Sequence, residues 1–368
     1  MSFKRILVFR IGHLGDTLVA LPALWALRSA LPDAEIVYLS NSDTKNPHYL
    51  SAQGILPQDG LFDDWLSYPN LSGGIGDIFQ LLKLAIELRR RKFDAVIYLM
   101  TRNRTAPQID RDRRFFRFAG ISKMLGADFL KIQSLGLSIP KPVPRIERES
   151  DFLLSLLREE KLIADDRSFR TDLLISTGER DTAQEWLQAS GALQGGRKLI
   201  AVAPGSKWDS KIWDETRFGE VVDRLIVSHD VSPIVFGGPE DRDKGERLIA
   251  RWKRGANAAG ALNVREAAAA LEMCSLYLGN DTGTMHLAAT VGTPCVAIFA
   301  AIDWSGRWEP FGAGHTIFRR TVECEGCHTP LCFNEHKCLD LVNVDEVFAA
   351  CESLLSSRIV TRAVPVLS

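Results

Sequence analysis

At 368 residues the chain is long for one hydrophobic core and suits two domains. Apolar residues make up 46% and charged residues 25%, and the net charge is -1, so the composition is that of a globular protein with no global basic excess for nucleic acid. The first apolar run, residues 6–9, stops at Arg10 and is a buried strand rather than a signal peptide. The longest later run, residues 295–302, falls far short of the ~20 residues of a membrane helix. Seven cysteines without an export signal imply free thiols in a reducing cytoplasm.

In chain order, the pattern predicts a strand over 5–10 and a helix over 16–30, with Leu18, Leu21, Leu24, Trp25 and Leu31 on one face. Pro22 falls in its early turns, where a missing N–H costs less. A strand follows over 35–40. Residues 41–77 lack periodicity and read as loops and short helices. An amphipathic helix spans 79–91 and a continuous apolar strand 94–100. Thr-Gly, Ser-Gly and Gly-Gly turns around one helix (181–188) mark 171–197 as the passage between halves. The second half alternates strands at 198–203, 232–236, 275–279 and 295–300 with helices near 215–227, 241–254, 264–274 and 284–291. Asn263 and Glu266 form a capping-box start for the third of these helices. Such alternation implies parallel sheets with right-handed crossovers, and two such domains face a ligand cleft with the carboxyl ends of their strands.

The candidate chemistry sits at strand ends. Asn280-Asp281-Thr282-Gly283 leads from a strand into a helix whose free N–H groups make an anion site, with His286 one turn on. The bland alternative is a capped helix in which Asp281 or Thr282 satisfies backbone donors. Arg10-Ile11-Gly12-His13-Leu14-Gly15-Asp16 closes the first strand and is neither a Walker loop nor a Gly-x-Gly-x-x-Gly fingerprint. It delivers Asp16 to the cleft, or merely uses it as a helix N-cap. Pro204-Gly205-Ser206-Lys207 and Lys211 offer hydroxyl, N–H and ammonium donors to a phosphate, or form a solvated basic loop. Glu240, after Gly237-Gly238, suits a ribose diol or an exposed helix start.

Together these segments resemble glycosyltransferase family 9, the heptosyltransferases of lipopolysaccharide core assembly. The resemblance rests on ILVFRIGHLGDTLVALPAL, APGSKWDSKIW and GNDTGTMHLAATVGTPCVAIF, with FRFAGI and a late cysteine block. It implies an α/β chain of two Rossmann-like domains facing across a cleft (GT-B type). The expected division is an acceptor domain (1–180), a nucleotide-sugar domain (181–345) and a C-terminal helix and tail (346–368) packing back toward the first domain. It further implies Asp16 as catalytic base, with Gly15 on the acceptor side. Ser206, Lys211, Glu240, Asp281, Thr282, Gly283 and His286 would hold the donor. His13 and residues 44–48 have no such anchor.

The implied reaction is inverting transfer of a heptose or similar sugar from a nucleoside diphosphate, ADP first, to a lipopolysaccharide core or related anionic glycan. The base takes the acceptor proton while positive potential receives the leaving diphosphate, so no cofactor is required. A sugar-nucleotide-binding protein without turnover and a same-fold epimerase are the alternatives. Arg89 to Lys92 and six arginines between 102 and 117 suit a carboxylate- and phosphate-rich acceptor such as a Kdo–lipid A core at the inner-leaflet surface, with Arg113, Arg114 and Arg117 as its ligands. The expected location is therefore cytoplasmic and peripheral to the inner membrane. Helix-face salt bridges are the competing reading of the same arginines. Asp110/Asp112 and Asp241/Asp243 read as solvated charge. Cys324, Cys327, Cys332 and Cys338, with His328 and His336 among them, suit a structural zinc site or packed thiols.

Overall fold

The computed structural model describes residues 3–43, 50–69, 75–136, 138–164 and 170–356. Residues 44–48 and the tail beyond 356 lie outside the described residues. The first half runs β1 (Arg5–Phe9), α1 (Leu14–Leu18), α2 (Leu21–Ala30), β2 (Glu35–Ser42), α3 (Ala52–Ile55), β3 (Asp64–Pro69) and α4 (Ile75–Arg91). It continues with β4 (Ala95–Tyr98), α5 (Ala106–Phe118), β5 (Met124–Leu125), α6 (Ala127–Ile132) and α7 (Glu149–Glu159). Its five strands are parallel in the order β3-β2-β1-β4-β5.

The second half runs α8 (Thr177–Ala189), β6 (Leu199–Ala203), α9 (Glu215–His229), β7 (Ser232–Val235), α10 (Arg242–Trp252), β8 (Ala256–Asn257) and α11 (Val264–Glu272). Then come β9 (Leu276–Asn280), α12 (Gly283–Thr290), β10 (Cys295–Phe299), β11 (Thr316–Arg319), α13 (Lys337–Asp340) and α14 (Val344–Ser356). Its six parallel strands lie in the order β11-β10-β9-β6-β7-β8. Both sheets are doubly wound, and each reverses direction once: between β1 and β4, and between β6 and β9. Ligands of such sheets bind at these switch points, outside the carboxyl ends of the strands. Buried strand interiors such as Ile6 to Val8 and Leu276 to Leu278 show why: both faces are covered by helices, leaving the strand tips open.

Three expectations are corrected. The helix expected over 16–30 is two helices, α1 and α2, because Pro22 lies in the first turn of α2 and cannot continue a ladder from α1. The expected loop region contains β3, an edge strand that ends on Pro69, a composition that conceals it. Among the described residues helix α14 buries Val347, Cys351 and Leu355 against the second domain, packing on α9, β9 and β10 where a return toward the first domain was expected, and the tail of that expectation lies outside them. The capping box of α11 forms as read, Asn263 N–H donating to Glu266 at 2.9 Å and Glu266 N–H to Asn263 at 3.0 Å.

The halves are fastened by polar contacts. Residues 143–149 run along the second domain, Arg145 bridging Ser305 and Glu149 N–H donating to the Arg307 carbonyl at 2.7 Å. Arg307 and Glu149 are both buried, 2.9 Å apart, and Arg102 donates to the same carboxylate at 3.2 Å. Burial alone would raise the Glu149 pKa, but the two guanidinium charges outweigh it and hold the carboxyl below its ordinary value.

Candidate active site

The β1 tip is built around glycine and arginine. Gly12 has φ +153°, and a side-chain carbon there would stand 2.3 Å from Asp16 Cβ, so the loop closes only with glycine. Asp16 is not the N-cap; it is the third residue of α1, and its Oδ2 accepts from His13 N–H at 2.9 Å. No hydrogen bond to Oδ1 exists among the described residues, which leaves that oxygen available. Arg10 is buried and spans the loop, donating from Nε to the Asp16 carbonyl at 2.8 Å and from Nη1 to the Leu99 carbonyl at 2.5 Å. One guanidinium thereby ties together the tips of β1 and β4. Its sequence signal was an arginine ending an apolar strand.

Across the cleft stands the β9–α12 turn. Thr282 occupies the N-cap position of α12 without a side-chain cap hydrogen bond, so the helix's first N–H groups stay open, which the capped-helix alternative does not provide. Asp281 instead accepts from Lys211 Nζ at 2.6 Å, and both side chains are largely withdrawn from water. Asn280, fully buried, bolts the loops together: its Oδ1 accepts from Trp213 N–H at 3.1 Å and its Nδ2 donates to the Pro204 carbonyl at 3.0 Å. Asn280 was not among the sequence candidates, although an amide ending a buried strand is a visible signal.

Helices α1 and α12 meet at two glycines. A side-chain carbon at Gly15 would lie 3.3 Å from His286 Cδ2, and one at Gly283 would lie 3.0 Å from Leu14. Gly15 and Gly283 therefore let the Asp16 loop approach the α12 terminus. His286 is buried there and its pKa is lowered to about 4 by that burial, with the charges of Asp281 and Asp16 opposing the shift. The imidazole is neutral at pH 7.

The remaining candidates are less centrally placed. Ser206 Oγ accepts from Trp208 N–H at 3.2 Å in the β6 loop. Glu240 is exposed on the single turn Pro239–Asp241, whereas Asp241 reaches inward. A side-chain carbon at Gly205 would stand 1.9 Å from Asp241 Oδ1, and burial raises the Asp241 pKa. Asp241 is thus part of the β6–β7 loop architecture rather than solvated charge. Asp112 is likewise buried, accepting from the Tyr98 hydroxyl at 2.7 Å.

The arginine region is not one surface. Arg102 is buried at the domain junction, Arg104 and Arg111 pair with Asp112, and Arg113 pairs with Asp128. Arg114 and Arg117 are exposed on the second half of α5, which runs away from the strand tips and so away from Asp16. The salt-bridge reading holds for four of these six arginines.

The four late cysteines line one cavity of about 70 Å³, together with Ala301, Ile302 and Ser210. Among the described residues no three His, Cys, Asp or Glu side chains are arranged to hold a metal ion, so the structure lends the zinc expectation no support. The thiols have other uses. Cys338 accepts from Ala301 N–H at 3.4 Å, Cys332 from His336 N–H at 3.3 Å and Cys327 from the Thr329 hydroxyl at 3.7 Å. Burial pushes the Cys338 thiol pKa up, and the neighbouring Cys324, Cys332 and Cys327 push the same way. The histidines serve the neighbouring turn: His336 bonds the Asp209 carbonyl at 3.0 Å and His328 packs edge-on against Trp208. With Ser210 donating to the Thr329 carbonyl at 2.5 Å, the block braces the turn that carries Lys211.

The sequence model "Glycosyltransferase family 9 (heptosyltransferase)" matches residues 81–337. A lipopolysaccharide heptosyltransferase 3 of Escherichia coli is 25% identical over 370 residues, covering 93% of this chain and 95% of that protein. A solved glycosyltransferase family 9 structure from Veillonella parvula superposes with TM-score 0.74 at 23% identity, covering 96% of this chain and 97% of its own. The Escherichia coli ADP-heptose lipopolysaccharide heptosyltransferase II gives TM-score 0.66 at 18% identity, covering 95% and 98%.

Proposed function

The chain belongs to glycosyltransferase family 9, the heptosyltransferase family, and from that premise we propose that this glycosyltransferase moves a heptose from ADP-heptose to an anionic lipopolysaccharide-core acceptor. The observation that carries the reading is the approach of the Asp16 loop to the open N-terminus of α12, at the switch points of two facing sheets. The names of the relatives supply the sugar and acceptor class.

In this reading the donor diphosphate lies on the α12 N–H groups, where the helix dipole and Lys211 receive its growing negative charge. Lys211 keeps two N–H donors beyond the one given to Asp281. Ser206 adds a hydroxyl, Glu240 faces the ribose end, and neutral His286 serves as a hydrogen-bonding wall. Asp16 takes the acceptor hydroxyl proton through its available Oδ1 while Gly15 admits the acceptor closely. The acceptor oxygen attacks the anomeric carbon, the bond to the diphosphate breaks, and the configuration inverts in one displacement. The domain division at about residue 180, a cytoplasmic location and contact with the inner-membrane surface belong to the same proposal.

The test is a transfer assay with ADP-heptose and a delipidated core oligosaccharide, with product stereochemistry read by NMR. Asp16→Asn is expected to fold and to bind ADP-heptose, with kcat reduced roughly 10²–10⁴-fold. Near-normal turnover in that variant would remove Asp16 from the role of base. An epimerised sugar formed from donor alone would replace transfer with the epimerase reading.

A further inference from the structure

Helix α4 carries two apolar faces. One is the expected core face, with Leu84, Ala85 and Leu88 buried. The other is in water: Ile78, Phe79, Leu82 and Ile86 are 57%, 68%, 40% and 54% exposed. Their spacing of three, four and eight residues places them on one stripe. A solvent-facing helix surface ordinarily carries polar residues there, and a contiguous apolar strip marks a docking site.

The charge around the stripe identifies the occupant. Lys83, Arg89, Arg90 and Lys92 are exposed on or just beyond α4, and Arg114 and Arg117 on α5. The C-terminal ends of the two helices abut, Arg89 lying against Gly120. None of these six residues forms an ion pair among the described residues. The nearby acids are taken: Asp64 and Glu87 by Arg91, Asp110 by Lys131, Asp112 by Arg104 and Arg111, and Asp128 by Arg113. An exposed apolar stripe bordered by unpaired cations is the chemistry of a helix lying in the interface of an anionic bilayer. Because α4 follows the carboxyl end of β3, its apolar turns lie toward the cleft and its basic end away from it.

We propose that the outer face of α4, with the adjoining end of α5, docks this protein onto an anionic lipid bilayer. This placement would bring a lipid-linked acceptor to the cleft mouth, so its purpose rests on the proposed function, but the docking itself does not. The full-length protein is sedimented with phosphatidylcholine vesicles, with and without phosphatidylglycerol, in the absence of donor and acceptor. Binding is expected only with phosphatidylglycerol and is expected to weaken as salt rises. Phe79→Ser with Leu82→Ser, and separately Arg89→Glu with Arg90→Glu, are each expected to weaken it by about tenfold or more. Both variants are expected to keep the wild-type melting temperature and activity on a delipidated acceptor. A wild-type protein that sediments with neither vesicle, or variants that bind as it does, would overturn the proposal. So would a wild-type dimer that the Phe79/Leu82 variant converts to monomer, which would assign the stripe to a second copy of the chain. Transfer failing while vesicle binding persists would overturn the proposed function alone.

Discussion

Lys211 and Asp281, 2.6 Å apart and mostly buried, are worth more as a pair than as two residues. Lys211→Ala removes the ammonium and also strands the Asp281 carboxylate, so both affinity and stability are expected to fall. A charged hydrogen bond is worth about 1.5–3 kcal/mol, so ADP binding by calorimetry should weaken roughly 10- to 100-fold. Adding Asp281→Asn is expected to recover melting temperature without recovering ADP affinity; recovery of both would show that the lysine does not meet the diphosphate. His286 gives a pH signature. Its folded pKa of about 4 lies below the ordinary histidine value of 6.5, so the unfolded chain binds the extra proton first. The stability this neutral imidazole contributes is full above pH 6.5 and is lost as pH falls toward 4. The loss approaches about 1.4 kcal/mol per pH unit in that window. A folded His286→Gln variant should show a shallower decline in denaturant midpoint between those limits; an identical slope would mean the wild-type imidazole is already protonated.

Among elements, the β9–α12 turn and the cysteine block show two ways of holding a loop. Asn280 uses both ends of one buried amide to join three segments. The cysteine block uses a small cavity with sulfur acceptors, and passes its rigidity to Lys211 through Ser210 and Asp209. Because the thiols are engaged as hydrogen-bond acceptors within this cavity, exhaustive chelation is expected to leave melting temperature and ADP affinity unchanged. A chelator-sensitive melt, with about one zinc per chain by elemental analysis, would contradict that account. The same scale explains the split between α1 and α2: ending α1 early keeps it a short arm that places Asp16, while α2 belongs to the core.

At the scale of the whole molecule, the buried Arg102–Glu149–Arg307 cluster joins the two halves by charge. Its members come from the β4–α5 loop, the start of α7 and the loop after β10, which are distant in sequence. Glu149→Ala leaves two buried guanidinium groups without their carboxylate, and is expected to cost about 3–5 kcal/mol. Thermal unfolding checks this, and Glu149→Gln should lose less because its amide oxygen still accepts. A variant as stable as wild type would mean that the cluster opens to water in solution.

Local signals in this chain come from periodicity and from residue types with one strong preference. The alternation of strands and helices in the second half, the Asn263 cap and the turn at Gly283 were legible because each is decided within about a dozen residues. Residue order alone also placed Asp16, Lys211, Asp281 and His286 at strand ends. What it left open depends on residues far apart in the chain. Whether Asp112 and Asp241 meet water, whether an arginine finds an acid, and whether four cysteines point at one ion are matters of which loops the topology brings together. The two apolar faces of α4 read as one amphipathic helix in sequence, since periodicity shows that a face is apolar but not that anything covers it. Coverage is a tertiary property: it requires another element within contact distance, and only the packed structure shows that β3 and α5 supply one for a single side of that helix.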